Sequence, residues 1–231
     1  MHGWTLVFDL DGTLVDTAQD LAAATNHVLK SKGLAPVVDR EILPFVGQGA
    51  LKMIEQAMAA HGVVLAQKEL YDLFELFIVY YAAHISVRSR PYEGVIASLS
   101  AFEAQGAKLA VCTNKLESHA RALLQALDMT RHFAAITGRD SLGAYKPDPK
   151  HLTGTIALAA GNSSKAIMIG DSETDILTAK AAGIPVIAVD FGYSVQPVSS
   201  FSPDIIISHF DQLAGAVATL RGPQIAQLTR R

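Results

Sequence analysis

The sequence predicts an α/β protein: a parallel sheet with helices on both faces, interrupted after its first strand by a block of helices. Three observations lead there. Short apolar runs of strand length recur at residues 4–8, 108–112, 133–137, 166–170, 185–189 and 204–207. Beyond Pro91 these runs alternate with segments of helical periodicity, as strand–helix–strand units do. Between the first run and about Arg90 the pattern is helical throughout. The expected division is a core domain formed by residues 1–15 and 88–231, with residues 16–87 as an inserted helical domain.

Each element has its own warrant. In the inserted block, Leu21, Ala24, Val28 and Leu29 form one apolar stripe, with Asp16 or Thr17 as N-cap and Gly33 as stop. Leu51, Ile54 and Met58 mark a second helix ending near Gly62. Leu70, Leu73, Phe74, Phe77, Ile78 and Tyr81 follow the three-four spacing of a helix buried on one side. Between the first two lies FVGQGA, residues 45–50, whose paired glycines predict a tight turn, either a packing turn or a substrate loop. In the core, helices are expected over about 94–105, 117–127, 149–160 and 174–182, the last stopped by Gly183 and Pro185.

Composition limits the class. The chain has 231 residues, half of them hydrophobic and 18% charged, enough to bury a substantial core. The formal charge of −3 and the lack of a basic run argue against a nucleic-acid partner. No apolar run is long enough to span a membrane, and no secretory leader pattern precedes the first strand, so the expected location is the cytoplasm. The single cysteine, Cys112, excludes an intramolecular disulfide framework and reads as a small buried strand residue. The eight histidines show no HExxH spacing and there is no CxxC pair, which argues against a zinc hydrolase.

Four polar clusters fall at or after strand ends, where open parallel sheets bind their ligands. Asp9 and Asp11 follow the first strand; two residues apart, they would share a face and converge. Thr113 and Asn114 follow residues 108–112, Lys146 lies in the connection after 133–137, and Asp171 and Asp175 follow 166–170. Together they offer two carboxylate clusters for a cation, hydrogen-bond donors and one fixed positive charge. That inventory suits a phosphoryl group held beside an oxygen-ligated divalent metal.

FDLDGTLVD, VCTNK, YKPDP and GDSETD, in this order, resemble the four motifs of the haloacid dehalogenase superfamily, and the helical insertion sits where that superfamily carries a small C1-type cap. The resemblance implies a Rossmann-like core and a Mg2+-dependent phosphatase. By it, Asp9 is the nucleophile that forms an aspartyl-phosphate, and Asp11 is the general acid and then base. Thr113 and Asn114 bind phosphate, and Lys146 neutralises charge. Mg2+ is held by Asp9, the backbone carbonyl of Asp11, and Asp171, with Asp175 in support. Lys146, taken as part of a polar site, is expected to matter for turnover and little for stability.

Within the superfamily the likeness extends furthest to the bacterial phosphoglycolate phosphatases, through DTAQDLAAA, FVGQGA and DFGYS. It implies hydrolysis of 2-phosphoglycolate, with the turn carrying Gly47 and Gly49 closing over the substrate and Arg40, Lys52 or Arg88 lending charge. The implied partner is a small phosphorylated metabolite, with monomer and homodimer both open. Phosphatases for another small metabolite, pyrophosphate or a nucleotide remain alternatives. Sugar phosphomutases usually carry a histidine where this chain has Asp20. A non-catalytic phosphate-binding module is the rival from a different class.

Overall fold

The computed structural model describes residues 1–38 and 43–222. Six parallel strands form the central sheet: β1 (Thr5–Phe8), β4 (Lys108–Cys112), β5 (Ala135–Thr137), β6 (Ala166–Gly170), β7 (Val186–Val189) and β8 (Ile205–Ile207). Their order is β5-β4-β1-β6-β7-β8. The remaining strands, β2 (Val15–Asp16) and β3 (Arg90–Pro91), form a separate antiparallel ribbon where the chain leaves the core and returns to it.

The central strands are apolar on both faces because both faces are covered. Leu6, Phe8, Leu109, Val111, Ile167 and Ile169 point to one side. There they meet α4 (Val95–Ala104), α5 (Glu117–Ala126) and α8 (Leu213–Arg221). The alternate residues, among them Val7, Ala110, Cys112 and Met168, meet α6 (Pro149–Leu158) and α7 (Glu173–Ala181) on the other side. The weak run at 133–137 contributes only its last three residues as strand. Phe133 instead follows a short 3-10 turn, Thr130–His132, and donates its amide to Thr130.

The helical block contains α1 (Ala18–Ser31), α2 (Ala50–Ala59) and α3 (Gln67–Ala83), with a 3-10 turn over Leu43–Gln48. It has a core of its own, in which Leu21, Val28, Ile54, Met58, Leu73 and Phe77 are buried. Thr17 takes the N-cap position of α1, as the sequence predicts, but its side chain does not cap the helix. The Thr17 hydroxyl donates to Asp11, while Asp16 Oδ1 and the Tyr193 phenol oxygen accept from the Ala18 amide at 3.2 and 3.0 Å. None of the helices among the described residues is long and apolar enough to cross a membrane.

Asp20, in the first turn of α1, is a joint between the outgoing and returning chain. It is buried, and its carboxylate accepts the Arg88 amide at 3.1 and 3.0 Å, the Ser89 amide at 2.8 Å and the Ser89 hydroxyl at 2.7 Å. Replacing it would strand those donors, each at a cost of about 1–3 kcal/mol. Asp20→Ala is therefore expected to lower unfolding stability by about 2–4 kcal/mol in denaturant titration, and Asp20→Asn by less, since its amide oxygen still accepts.

Candidate active site

Strand register brings the four sequence clusters to one end of the sheet. Phe8 lies opposite both Val111 and Ile169, so the chain just beyond β1, β4 and β6 emerges together. Asp9 stays in line, donating its amide to the Ile169 carbonyl at 2.9 Å. Asp171 follows the last residue of β6, and Asp175 lies in the first turn of α7. Asp9, Asp171 and Asp175 are all buried, with one carboxylate oxygen from each inside a cluster no wider than 4.8 Å.

A single ammonium answers them. Lys146 Nζ sits 2.5 Å from Asp175 Oδ1 and 2.9 Å from Asp9 Oδ1, with its side chain 1% exposed. It is aligned for a hydrogen bond to Asp175, which leaves Asp9 Oδ1 with a charge beside it and no hydrogen bond. Burial works against the Lys146 charge, but Asp175 and Asp9 outweigh it and hold its pKa above the ordinary lysine range. Burial and then the Asp175 charge push the Asp9 carboxyl up, against the pull of Lys146. Asp171 is pushed up by burial, then by Asp175 and Asp9, against hydrogen bonds from the Tyr193 amide and the Thr13 hydroxyl. Three crowded acids with one cation, and a buried carboxylate oxygen without a hydrogen bond, form a donor set suited to a hard divalent ion.

Asp11 takes other partners. The regular strand ends at Phe8 and Gly12 turns the chain with φ +79°, while the Asp11 charge stays near enough to Asp9 to add to the upward push on its carboxyl. Asp11 Oδ1 receives the Thr17 hydroxyl at 2.7 Å and Lys115 Nζ at 2.8 Å, and Lys115 also reaches Oδ2 at 3.0 Å. Lys115 Nζ lies 4.5 Å from the centre of the Tyr81 ring. Burial opposes its charge, yet Asp11 and then Tyr81 hold its pKa above the usual range. VCTNK carried this lysine in plain view, but nothing in sequence spacing joins it to Asp11, 104 residues away.

Thr113 is buried after β4, its amide bound to the Thr137 carbonyl at 3.1 Å and its hydroxyl accepting the Lys115 amide at 3.2 Å. Asn114 Nδ2 donates to the carbonyls of Lys146, at 3.1 Å, and Gly47, at 3.3 Å. Both hydrogens of its amide are thus engaged within the protein, tying the glycine turn to the Lys146 segment. The Thr174 hydroxyl also reaches the Gly47 carbonyl, at 3.4 Å. At Gly49, where φ is +92°, a side chain would begin 3.0 Å from Arg139 Nη1. The FVGQGA turn is therefore seated on the core, directly beside the acidic site.

Behind Asp11 the turn and α3 border a cavity of about 40 Å3, lined among others by Phe74, Tyr81, Lys115, His119 and Arg139. Burial, and then the Lys115 charge, push the His119 imidazole down to about 4, so it is neutral at pH 7. A wider cleft of about 480 Å3 reaches Asp171 from the other side of Gly47. Of the three cations considered for the helical block, Lys52 pairs with Glu55 at 2.6 Å and Arg88 extends to Gln19 at 3.4 Å. Neither lines the small cavity. Arg40 lies outside the described residues.

The burial of Lys146 changes what its removal should do. Taking away one partner of a buried ion pair leaves an uncompensated charge, at a cost of about 3–5 kcal/mol. Lys146→Met is expected to destabilise the metal-free protein by that order, measured by chemical denaturation. Adding Asp175→Asn should recover part of the loss; an additive double variant would contradict the pairing.

Comparison with known proteins agrees with this geometry. Residues 6–189 match the model of the family described as haloacid dehalogenase-like hydrolase. A phosphoglycolate phosphatase of Mesorhizobium japonicum is 52% identical over 213 residues, covering 92% of this chain and 94% of the relative. One from Agrobacterium fabrum is 46% identical over 211 residues, 91% of each chain. A crystal structure described as a predicted phosphoglycolate phosphatase from Haemophilus somnus superposes with a TM-score of 0.85 at 29% identity, covering 92% of this chain and 96% of that one. With its motifs, its sheet order and its buried acidic cluster in register, the chain belongs to the haloacid dehalogenase-like hydrolase family.

Proposed function

We propose that the protein is a phosphatase that hydrolyses a small phosphate monoester, 2-phosphoglycolate, through a covalent intermediate on Asp9. The observation that carries the chemistry is the placement of Asp9: a carboxylate at the tip of the central strand, buried, beside Lys146 and two further acids. The substrate rests on the names of the relatives at 52% and 46% identity. It is supported by the small cavity behind Asp11, about 40 Å3. General ligand clefts hold about 300–1,000 Å3, so with the turn seated the cavity suits a two-carbon leaving group better than a sugar or nucleoside.

The residues divide the work. Asp9 attacks phosphorus, splitting one hard displacement into two easier ones. Lys146 offsets negative charge between nucleophile and phosphoryl group, and the Thr113 hydroxyl donates to a phosphoryl oxygen. Asn114, whose amide hydrogens are committed to Gly47 and Lys146, holds the turn in place and leaves phosphate contact to Thr113. Asp11, oriented by Lys115 and Thr17, protonates the leaving oxygen and then takes a proton from the attacking water. Asp9, Asp171 and Asp175, with the Asp11 carbonyl, would hold Mg2+, which when bound supplies charge stabilisation to the phosphoryl oxygens. Residues 16–87 act as a cap domain whose Gly47–Gly49 turn covers the reacting centre and excludes water. The setting is the cytoplasm, with a small metabolite and no nucleic acid or membrane as partner.

Asp9→Asn should abolish turnover with the fold intact, since an amide is a poor nucleophile. Acid quench during turnover should trap phosphate on Asp9 of the wild-type enzyme, and in oxygen-18 water the label should enter phosphate and leave Asp9 unlabelled, because water displaces Asp9 at phosphorus. Chelation should silence the enzyme and Mg2+ restore it, while Asp171→Ala should raise the Mg2+ concentration needed for half-maximal rate. In a kinetic screen ranked by kcat/KM, 2-phosphoglycolate is expected to lead. A ranking headed by pyrophosphate, sugar phosphates or nucleotides would refute the substrate and leave the phosphatase assignment standing.

A further inference from the structure

The small cavity behind Asp11 contains polar groups that the catalytic roles above leave unused. Lys115 is already committed to both oxygens of Asp11. Arg139 is not committed. It lines the cavity half-buried, its guanidinium stacked 4.7 Å from the centre of the Tyr145 ring, and no carboxylate pairs with it among the described residues. The Tyr81 hydroxyl is a second such group. Tyr81 is 1% exposed, it lines the same cavity, and its oxygen makes no well-aligned hydrogen bond among the described residues, with only the Lys115 ammonium near it.

Unpaired buried polar groups are costly and are seldom left so without a use. A guanidinium offers a rigid fork of donors matched to a carboxylate, and stacking on an aromatic ring fixes its plane. A phenol adds one donor. Both residues line the cavity that adjoins Asp11. The φ of +92° and the missing side chain at Gly49 leave the guanidinium its place, because a Cβ there would press on Nη1 at 3.0 Å.

We infer that Arg139 and the Tyr81 hydroxyl form the carboxylate-binding end of the substrate cavity and set the selectivity of the enzyme for short phosphate esters ending in a carboxylate. The inference rests on the cavity being the leaving-group pocket of the phosphatase proposed above. In it, the phosphoryl end is read by Asp9, Thr113 and Lys146, and the acid end by Arg139 and Tyr81. Lys115 stays with Asp11 as a positioning residue.

The test is the ratio of kcat/KM for 2-phosphoglycolate to that for ethyl phosphate, which lacks the carboxylate. Wild-type enzyme should favour 2-phosphoglycolate. Arg139→Gln should lower the ratio about 100-fold, mainly through KM, and Arg139→Lys should lower it less, keeping charge without the fork. Tyr81→Phe should lower it about 10-fold. Its melting temperature should stay level or rise, since the hydroxyl removed makes no well-aligned hydrogen bond, an outcome a structural role would not give. Arg139→Glu should shift preference toward phosphoethanolamine. A ratio unchanged in both Arg139→Gln and Tyr81→Phe would overturn the inference and spare the substrate. A wild-type enzyme indifferent to the carboxylate would overturn both. Should the wild type prefer a different carboxylate-bearing ester and Arg139→Gln erase that preference, phosphoglycolate fails as substrate and the inference stands.

Discussion

Three buried carboxylates share one ammonium, and the rest of the structure has to hold them there. Asp9, Asp171 and Asp175 lie within 4.8 Å of one another around Lys146. Left to relax in water such groups would separate, since like charges repel and each loses hydration on burial. What holds them is the sheet. Asp9 and Asp171 are carried on adjacent parallel strands in fixed register, and Asp175 is locked by the Ser172 amide and hydroxyl at 3.1 and 2.6 Å. The stability of the flanking core, with β1 and β6 fully buried, supports a site that would not be stable alone.

The same site is wired to the helical block. The Tyr193 amide donates to Asp171 Oδ2 at 2.8 Å, and its phenol donates to Asp16 at 2.5 Å while accepting the Thr17 amide at 2.8 Å. One residue thus spans from an acid of the cluster to the entry of α1 (Ala18–Ser31). Across the site, Asn114 links the glycine turn to the Lys146 segment. A shift of the turn relative to the core must break bonds to Asn114 and Thr174, while Tyr193 and Asp20 hold the connecting segments. Motion of the block, where it occurs, is therefore constrained at its root and labile at the turn.

Much of this was legible in the sequence, and the boundary of legibility is physical. Apolar runs of strand length and helical periodicity located the sheet and the helices because they report burial, which is local in sequence. The acidic motifs could be placed at strand ends for the same reason. Contacts between segments far apart in the chain were not legible. Lys115 reads as an ordinary lysine until register brings it to Asp11. Lys146 reads as a polar-site residue until its burial is seen, which turns a group expected to matter for turnover alone into one that also carries stability. Asp20 reads as a departure from a mutase pattern, whereas its carboxylate holds the chain's return at Arg88 and Ser89.

Catalysis and selectivity make opposite demands on polar groups, and the two halves of this site meet them differently. Asp11 is held by Thr17 and Lys115, Asp171 by Thr13 and Tyr193, and Asp9 lies beside the Lys146 ammonium, so reacting groups are held in place before substrate arrives. Among the described residues, the Tyr81 hydroxyl and Asn114 Oδ1 are buried in the cavity behind Asp11 without a well-aligned hydrogen bond, and Arg139 lacks an acid. Each unpaired buried group costs about 1–3 kcal/mol, a penalty relieved only by a ligand with complementary atoms. A ligand without them leaves the penalty in place, which makes the cavity selective by what it rejects. Preorganised donors near phosphorus and unsatisfied donors a few atoms away are thus two parts of one arrangement: the first lowers the barrier for any monoester that fits, and the second decides which one does.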